Sequence, residues 1–233
     1  MFSDALIRGT AGAAARLRQS RETGVPLAQV SIGTRASLVP PELADLTIEP
    51  WSDEQVNPAS YDLTLSSVFR VFPGVVPEVI DVADVHEGHT ERVVAPTPGD
   101  ESFGWETGVA MGVTMRPDGG VVLAPGAFLL GATREVVSLP RGLAARVEGK
   151  SSLGRIGLTV HVTAGFIDPG FKGSITLEIA NLSGCRHLVL RPGMRIAQIA
   201  FTPMVGWVER SYQTTGHYQD QPAGEPIESR YAL

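Results

Sequence analysis

Two short stretches of the chain carry side chains that could do chemistry. In Ser174-Ile175-Thr176-Leu177-Glu178-Ile179-Ala180, a single carboxylate stands in an otherwise strand-like run. Upstream, Gly149-Lys150-Ser151-Ser152-Leu153-Gly154-Arg155 gathers cations and hydroxyls beside glycines. Strand alternation puts Ile175, Leu177 and Ile179 on one face, and Thr176, Glu178 and Ala180 on the other. A carboxylate so placed either faces solvent, the commoner arrangement, or lines a pocket. A carboxyl desolvated in a pocket is suited to general acid/base work. The upstream cluster suits phosphate oxygens, because Lys and Arg supply charge while hydroxyls and Gly-freed N–H groups supply donors. A solvated turn is the alternative. It is not a Walker A loop: Ala144 stands where that loop needs its first Gly, in a run that reads as strand.

Other hydrolytic chemistries fail on spacing. The histidines of His86-Glu87-Gly88-His89 are three apart, not four as in HExxH. Cys185 is the only cysteine, so neither an internal disulfide, a Cys-based zinc cage nor the H-x-E…P-C-x-x-C deaminase site can be built. No G-x-S-x-G elbow is present. His161, in a strand-like run, reads as a packed or hydrogen-bonding core histidine. With 19 basic against 25 acidic residues the net charge is -6, which argues against a broad nucleic-acid or anionic-membrane surface but leaves room for a small triphosphate pocket. No apolar run approaches the roughly 20 residues of a spanning helix. The N-terminus lacks the apolar core of a signal peptide. A reducing, cytoplasmic setting is expected.

The elements that must position these groups are mostly strands. The spacing predicts strands over Tyr61–Phe72, Gly120–Leu123, Phe128–Val137, Ala144–Glu148, Thr159–Val162, Ser174–Ala180, His187–Leu190 and Arg195–Thr202. Turns fall at Ala124-Pro125-Gly126, Leu139-Pro140-Arg141-Gly142, Asp168-Pro169-Gly170 and Arg191-Pro192-Gly193. The fold class is mainly β, a barrel or sandwich. Residues 1–45 read as an extension, helical in part, and residues 46–207 as the β domain. A long excursion at about 84–120 holds a hairpin around Val109–Met115, and residues 208–233 read as a polar arm.

Taken in order, Glu148-Gly149-Lys150-Ser151-Ser152-Leu153-Gly154-Arg155, Thr163-Ala164-Gly165-Phe166-Ile167-Asp168-Pro169-Gly170-Phe171 and Ile175-Thr176-Leu177-Glu178 resemble the dCTP deaminase branch of the dUTPase-like superfamily. Asn57-Pro58-Ala59-Ser60-Tyr61-Asp62-Leu63, Leu123-Ala124-Pro125-Gly126 with Leu139-Pro140, Pro192-Gly193-Met194-Arg195-Ile196-Ala197-Gln198 and Tyr218-Gln219-Asp220-Gln221 agree with that family in order. The resemblance covers about residues 46–83 and 120–230 and is most specific over 148–181.

The resemblance implies a distorted β-barrel assembled as a homotrimer with sites between subunits. The implied substrate is dCTP, with Mg²⁺ carried on its triphosphate and no zinc. Glu178 matches the catalytic glutamate, which takes a proton from the water attacking C4 of cytosine. Ser151 and the carbonyl of Ala164 would hold that water, and Arg155 would keep Glu178 charged. Lys150 and Ser152, with the backbone about Leu153 and Gly154, would meet phosphates. Thr176 and Leu177 would line the nucleotide, and Asp168 would meet the deoxyribose 3′-hydroxyl. Tyr212, His217 and Gln221 would close from the arm. His217 departs from the family's usual Lys before the arm's Tyr, which removes a fixed charge. The compressed spacing from Tyr212 to Tyr218 is a second departure. EGKSSLGR with TAGFIDPGF, including Gly165 after Ala164, resembles the dUMP-forming members, since Gly leaves room by the pocket. The alternatives are a deaminase that stops at dUTP, a dUTPase alone, or a non-catalytic nucleotide-binding regulator on the same scaffold.

Overall fold

The computed structural model describes residue 7 and residues 45–73, 84–85, 88–99, 107–110, 112–205, 208–229 and 231–232. The helix expected within residues 1–45, the His86-Glu87 pair and the expected domain end at Trp207 lie outside the described residues. The described strands are, in order, β1 (Thr47–Glu49), β2 (Tyr61–Val71), β3 (Asp84–Val85), β4 (Glu91–Val94), β5 (Thr107–Ala110), β6 (Val113–Met115), β7 (Val121–Leu123), β8 (Phe128–Ser138), β9 (Leu143–Gly149), β10 (Leu158–Thr159), β11 (Phe166–Ile167), β12 (Lys172–Asn181), β13 (Leu188–Leu190), β14 (Arg195–Pro203) and β15 (Tyr231–Ala232). Two single-turn helices join them, α1 (Ser151–Gly154) and α2 (Tyr212–Thr215). Each strand expected from alternation is present within a few residues, except that Thr159–Val162 pairs only over Leu158–Thr159. The expected hairpin is β5 with β6, where Ala110 faces Val113.

The main sheet runs β10-β12-β8-β2-β14-β9-β11, with β1 added on β8 and β4 on β2, and it curls into a half-barrel. A smaller sheet runs β13-β7-β6-β5, and β15 pairs with β3. The core lies inside the curl, where Tyr61, Leu63, Leu65, Phe69, Leu129, Ile199 and Phe201 are fully buried. On β12 the burial follows the alternation: Ile175, Leu177 and Ile179 are buried, while Thr176, Glu178 and Ala180 are half-buried.

β8 and β12 are not in plain register. Ser174 faces Val136 but Thr176 faces Ala132, so β8 bulges between them. Inside the bulge the Thr133 hydroxyl accepts from Ile175 N at 2.9 Å and donates to the Glu135 carbonyl at 2.7 Å. The Glu135 side chain is turned inward and is only 1% exposed. Its carboxylate accepts from Gln55 Nε2 (2.8 Å), Thr64 N (2.8 Å) and Thr64 Oγ1 (2.7 Å), so a side chain supplies what a neighbouring strand would otherwise give Thr64.

The arm then runs along the edge of β12. Asp220 N donates to Lys172 O at 2.8 Å, Ser174 N to Gln221 O at 3.3 Å, and Gly224 N to Ser174 Oγ at 2.8 Å. β10 covers the far end of the same edge, where Leu158 faces Asn181 and Thr159 faces Ala180. The stretch Thr176–Glu178 is left between arm and β10. Among the described residues, no helix is long and apolar enough to cross a membrane.

The bulge gives a stability prediction. Glu135→Ala strands a backbone N–H and a carboxamide in the interior and is expected to cost about 3 kcal/mol. The measurement is the denaturant midpoint at unchanged slope. A loss below about 1 kcal/mol would show that the carboxylate is replaceable.

Candidate active site

The uncovered stretch of β12 forms one wall of a cavity of about 610 Å³. Ile175, Thr176, Leu177 and Glu178 line it from the strand, and His161 to Asp168 line it from the segment between β10 and the turn before β12. Tyr212, Tyr218, Gln221 and Ile227 to Ser229 contribute from the arm, and the rest of the wall includes Phe72, His89, Thr90 and Phe128. A concave, largely apolar space with a few convergent polar groups is what a small-molecule site requires.

Glu178 is fixed by the way β10 ends. Pairing with β12 stops at Thr159, whose hydroxyl donates to the His161 carbonyl at 2.9 Å. Two residues on, Val162 N donates to Glu178 Oε2 at 2.7 Å in place of a strand partner. The short strand therefore has a physical cause: the glutamate side chain takes the amide that a longer strand would have paired. Glu178 is half-buried, with one oxygen fixed and the carboxylate lining the cavity. Of the two readings open for it, the pocket-lining one holds.

Ala164 is set by its neighbour. Val147 N donates to Gly165 O at 2.7 Å, and a Cβ at Gly165 would lie 2.6 Å from Val147 O. Only glycine lets the backbone lie this close to β9, and this contact holds the adjoining Ala164 peptide at the cavity. Asp168 opens a turn whose Gly170 has φ +87°. Tyr212 N donates to Pro169 O at 2.9 Å, which ties that turn to the arm. The Tyr212 ring meets Phe171 edge-on at 5.6 Å between centroids. Burial raises the Tyr212 phenol above its ordinary range, opposed by the Tyr218 amide that donates to it and aided by the charge of Asp168. Thr176 Oγ1 donates to Gln221 Oε1 at 2.9 Å, joining the arm to the cavity-lining stretch of β12.

Of the residues singled out from the sequence, Glu178, Ala164, Asp168, Thr176, Leu177, Tyr212 and Gln221 come together around the cavity. Ser151, Ser152, Leu153, Gly154 and Arg155 stand on or just after α1 and do not line it. Ser151, Ser152 and Arg155 are exposed. Lys150 turns the other way, donating to the buried Asp62 at 2.6 Å; Asp62 also accepts from Asn57 Nδ2 at 2.7 Å. His217 does not line the cavity, although its ring lies 6.4 Å from that of Tyr218. His161, read from the sequence as a packed or hydrogen-bonding core histidine, is a half-buried cavity residue whose Nδ1 is buried without a hydrogen-bond partner. Sequence reasoning passed over Thr90, Ile227 and Glu228, which meet the cavity from segments with no periodic signal. Among the described residues, no group of three or more His, Cys, Asp or Glu is placed to hold a metal ion.

Comparisons with known proteins give the family. A family model described as dCTP deaminase-like matches residues 41–204. A protein of Bifidobacterium animalis subsp. lactis named "dCTP deaminase, dUMP-forming" is 42% identical over 187 residues, covering 79% of this chain and 86% of that one. A protein of the same name from Mycobacterium marinum is also 42% identical over 187 residues, covering 79% and 87%. The crystal structure of 2′-deoxycytidine 5′-triphosphate deaminase from Agrobacterium tumefaciens is 26% identical, with a TM-score of 0.46 over 67% of this chain and 41% of that one. The family model spans the strands that build the cavity, and the relatives extend the match over most of the sequence, so the chain belongs to the dCTP deaminase-like family.

Proposed function

We propose that this chain is a dCTP deaminase that carries its product on to dUMP: dCTP and two waters give dUMP, pyrophosphate and ammonia. The observation that carries the reading is the carboxylate of Glu178, fixed by one backbone amide on the wall of a cavity that the Ala164 peptide and Asp168 also line. With one oxygen held by Val162 N, the carboxylate has a defined direction and keeps acceptor capacity for a water. Glu178 takes a proton from that water as it adds to C4 of the cytosine and delivers it to N3, then carries the proton of the new C4 hydroxyl to the departing amine as the C4=O bond forms. The C4–N bond breaks and ammonia leaves. In this reading Asp168, at the turn below, would meet the sugar hydroxyl and orient the second water toward the α-phosphorus. Gly165, expected to leave room by the pocket, instead lets the backbone lie against Val147 of β9, and the step on to dUMP rests on the relatives named as dUMP-forming.

Half of the site's expected chemistry is missing from the cavity of one chain. Ser151 and Arg155 are exposed outside it, and Val162 and Phe166 at its wall are 60% and 59% exposed. A second copy that docks its α1 there would cover this apolar rim and bring the hydroxyl and guanidinium to Glu178. Closed three-fold symmetry repeats that contact without leaving a free end. We therefore read the active form as a cytoplasmic homotrimer with its sites between subunits. Bound to the substrate's triphosphate, Mg²⁺ would neutralise phosphate charge.

Incubating the chain with dCTP and Mg²⁺ while following ammonia, pyrophosphate and dUMP tests the whole reading. dUTP as end product would mean a deaminase that stops early, and pyrophosphate without ammonia from dUTP a dUTPase. Glu178→Gln is expected to slow ammonia release about a thousandfold with the oligomer intact, and near-normal activity would remove Glu178 from the mechanism. Mixing Glu178→Gln with Ser151→Ala chains, unfolding and reassembling them together, should restore about a quarter of the sites if each site draws on two subunits; no recovery would place the whole site in one chain. Deleting residues from Val208 onward is expected to raise KM for dCTP steeply, since the arm walls the cavity, and an unchanged KM would show that the arm does not close on substrate. A zinc-selective chelator should leave ammonia release untouched, whereas withdrawing Mg²⁺ should weaken nucleotide binding; inactivation by the zinc chelator would contradict a deamination step driven by Glu178 alone.

A further inference from the structure

Past the end of the family match, a second buried carboxylate meets the cavity. Glu228 is 6% exposed and lines it. One of its oxygens accepts from Gly88 N at 2.7 Å; the other accepts from Thr90 N at 2.7 Å and from the Thr90 hydroxyl, with Arg70 Nη1 at 3.7 Å. Three residues earlier, Glu225 takes the Arg92 guanidinium through contacts of 2.9 and 2.5 Å. Between them Ile227 N donates to Thr176 Oγ1 at 3.0 Å. The segment 225–229 is therefore a strap with two attachments. Its acidic side chains grip the 88–92 segment, and its backbone grips Thr176, which shares a face of β12 with Glu178.

A carboxylate taken this far from water is costly unless donors surround it. Here donors engage both oxygens, and they converge from a segment far away in sequence. Burial pushes the Glu228 carboxyl up, but the Thr90 hydroxyl, the Gly88 and Thr90 amides and the Arg70 charge outweigh it and hold it below the usual range. The grip is thus ionic at neutral pH and made of charge-assisted bonds.

We infer that Glu228 is a positioning residue for deamination: it fastens the strap across the cavity to the Gly88–Thr90 turn and thereby holds Thr176 and the cavity wall in place around the nucleotide. This rests on the deaminase reading of the cavity. Glu228 acts through the strap and through Thr176, and it exchanges no proton with the substrate. An unfastened strap must be re-closed by substrate binding, which lowers apparent affinity more than turnover.

The test is kinetic, on the full chain. Glu228→Gln keeps the shape and removes the charge; it is expected to raise KM for dCTP about tenfold while kcat falls by no more than about threefold. Thr90→Val should do the same to a lesser degree, and the double variant should be little worse than Glu228→Gln alone, because both remove one grip. Hydrogen exchange without nucleotide should show Ile227 and Thr90 amides losing protection in Glu228→Gln while β8 and β12 keep theirs. An unchanged KM, or effects that add fully in the double variant, overturns the inference. Should Glu228→Gln not fold, Arg92→Gln loosens the same strap from its exposed side, and a KM rise of about threefold is expected there; no rise overturns the inference equally. If the wild-type chain releases no ammonia from dCTP, the deaminase reading fails by itself, and the exchange result still shows whether Glu228 fastens the strap.

Discussion

The register of β12 on β8 is the constraint on which the rest depends. Because side chains alternate along a strand, a slip of one residue would turn Glu178 into the core and put Leu177 on the face that Glu178 now holds. The bulge at Thr133–Glu135 fixes that register with hydrogen bonds that a slipped strand could not make. Thr133 Oγ1 meets Ile175 N at 2.9 Å, and Glu135 is turned onto Gln55 and Thr64. A buried carboxylate is an expensive way to satisfy one amide. Its use here is geometric, since it ties β2, β8 and the residues before β2 at a single point opposite the catalytic strand. The cavity carboxylate of Glu178 is thus held in register by the buried carboxylate of Glu135.

The same strand edge divides the labour between rigid and movable parts. β10 takes its far end and the arm takes its near end, so the cavity sits on the few residues that neither covers. Glu178 ends β10 by claiming the Val162 amide, and Thr176 receives the strap through the Ile227 amide. Both contacts put a side chain of β12 where a backbone partner would otherwise be. Such side-chain substitutions keep a strand edge open without leaving it unpaired, which is what a site on a sheet edge requires.

What the sequence made legible follows the strength of the local rule. Alternation and Pro-Gly turns placed the strands, because each rule acts within a few residues. The choice between solvent and pocket for Glu178 was not legible, since it depends on Val162 and on the arm folding back over β12. Glu135 reads as one charged residue in Arg134-Glu135-Val136-Val137, and nothing local announces that a bulge turns it inward. His161 read as a packed core histidine; it is half-buried and lines the cavity because the short β10 lets its segment swing to that side. Glu228 and Thr90 are 138 residues apart, so their pairing had no sequence signal at all. The family motif put Ser151 and Arg155 beside Glu178 in the chemistry, whereas within one chain they stand on an exposed turn away from the cavity. A motif records which groups meet, and it does not record from which copy each one comes.

Charge gives an independent reason for that separation. Glu178, Asp168 and Glu228 line the cavity, and among the described residues no Lys or Arg does. Arg70 is close to Glu228 at 3.7 Å, and Lys150 is taken by Asp62 at 2.6 Å. A cavity of this sign accepts a neutral base and sugar but repels a triphosphate. The polyanionic end of the nucleotide must therefore lie toward the mouth and meet cations that this chain's own cavity does not supply. Arg155, exposed on its turn and outside the cavity, is a cation of the right kind. The acidic cavity and the exposed basic turn thus put opposite charges on separate parts of one chain, and that separation is what the proposed contact between subunits answers.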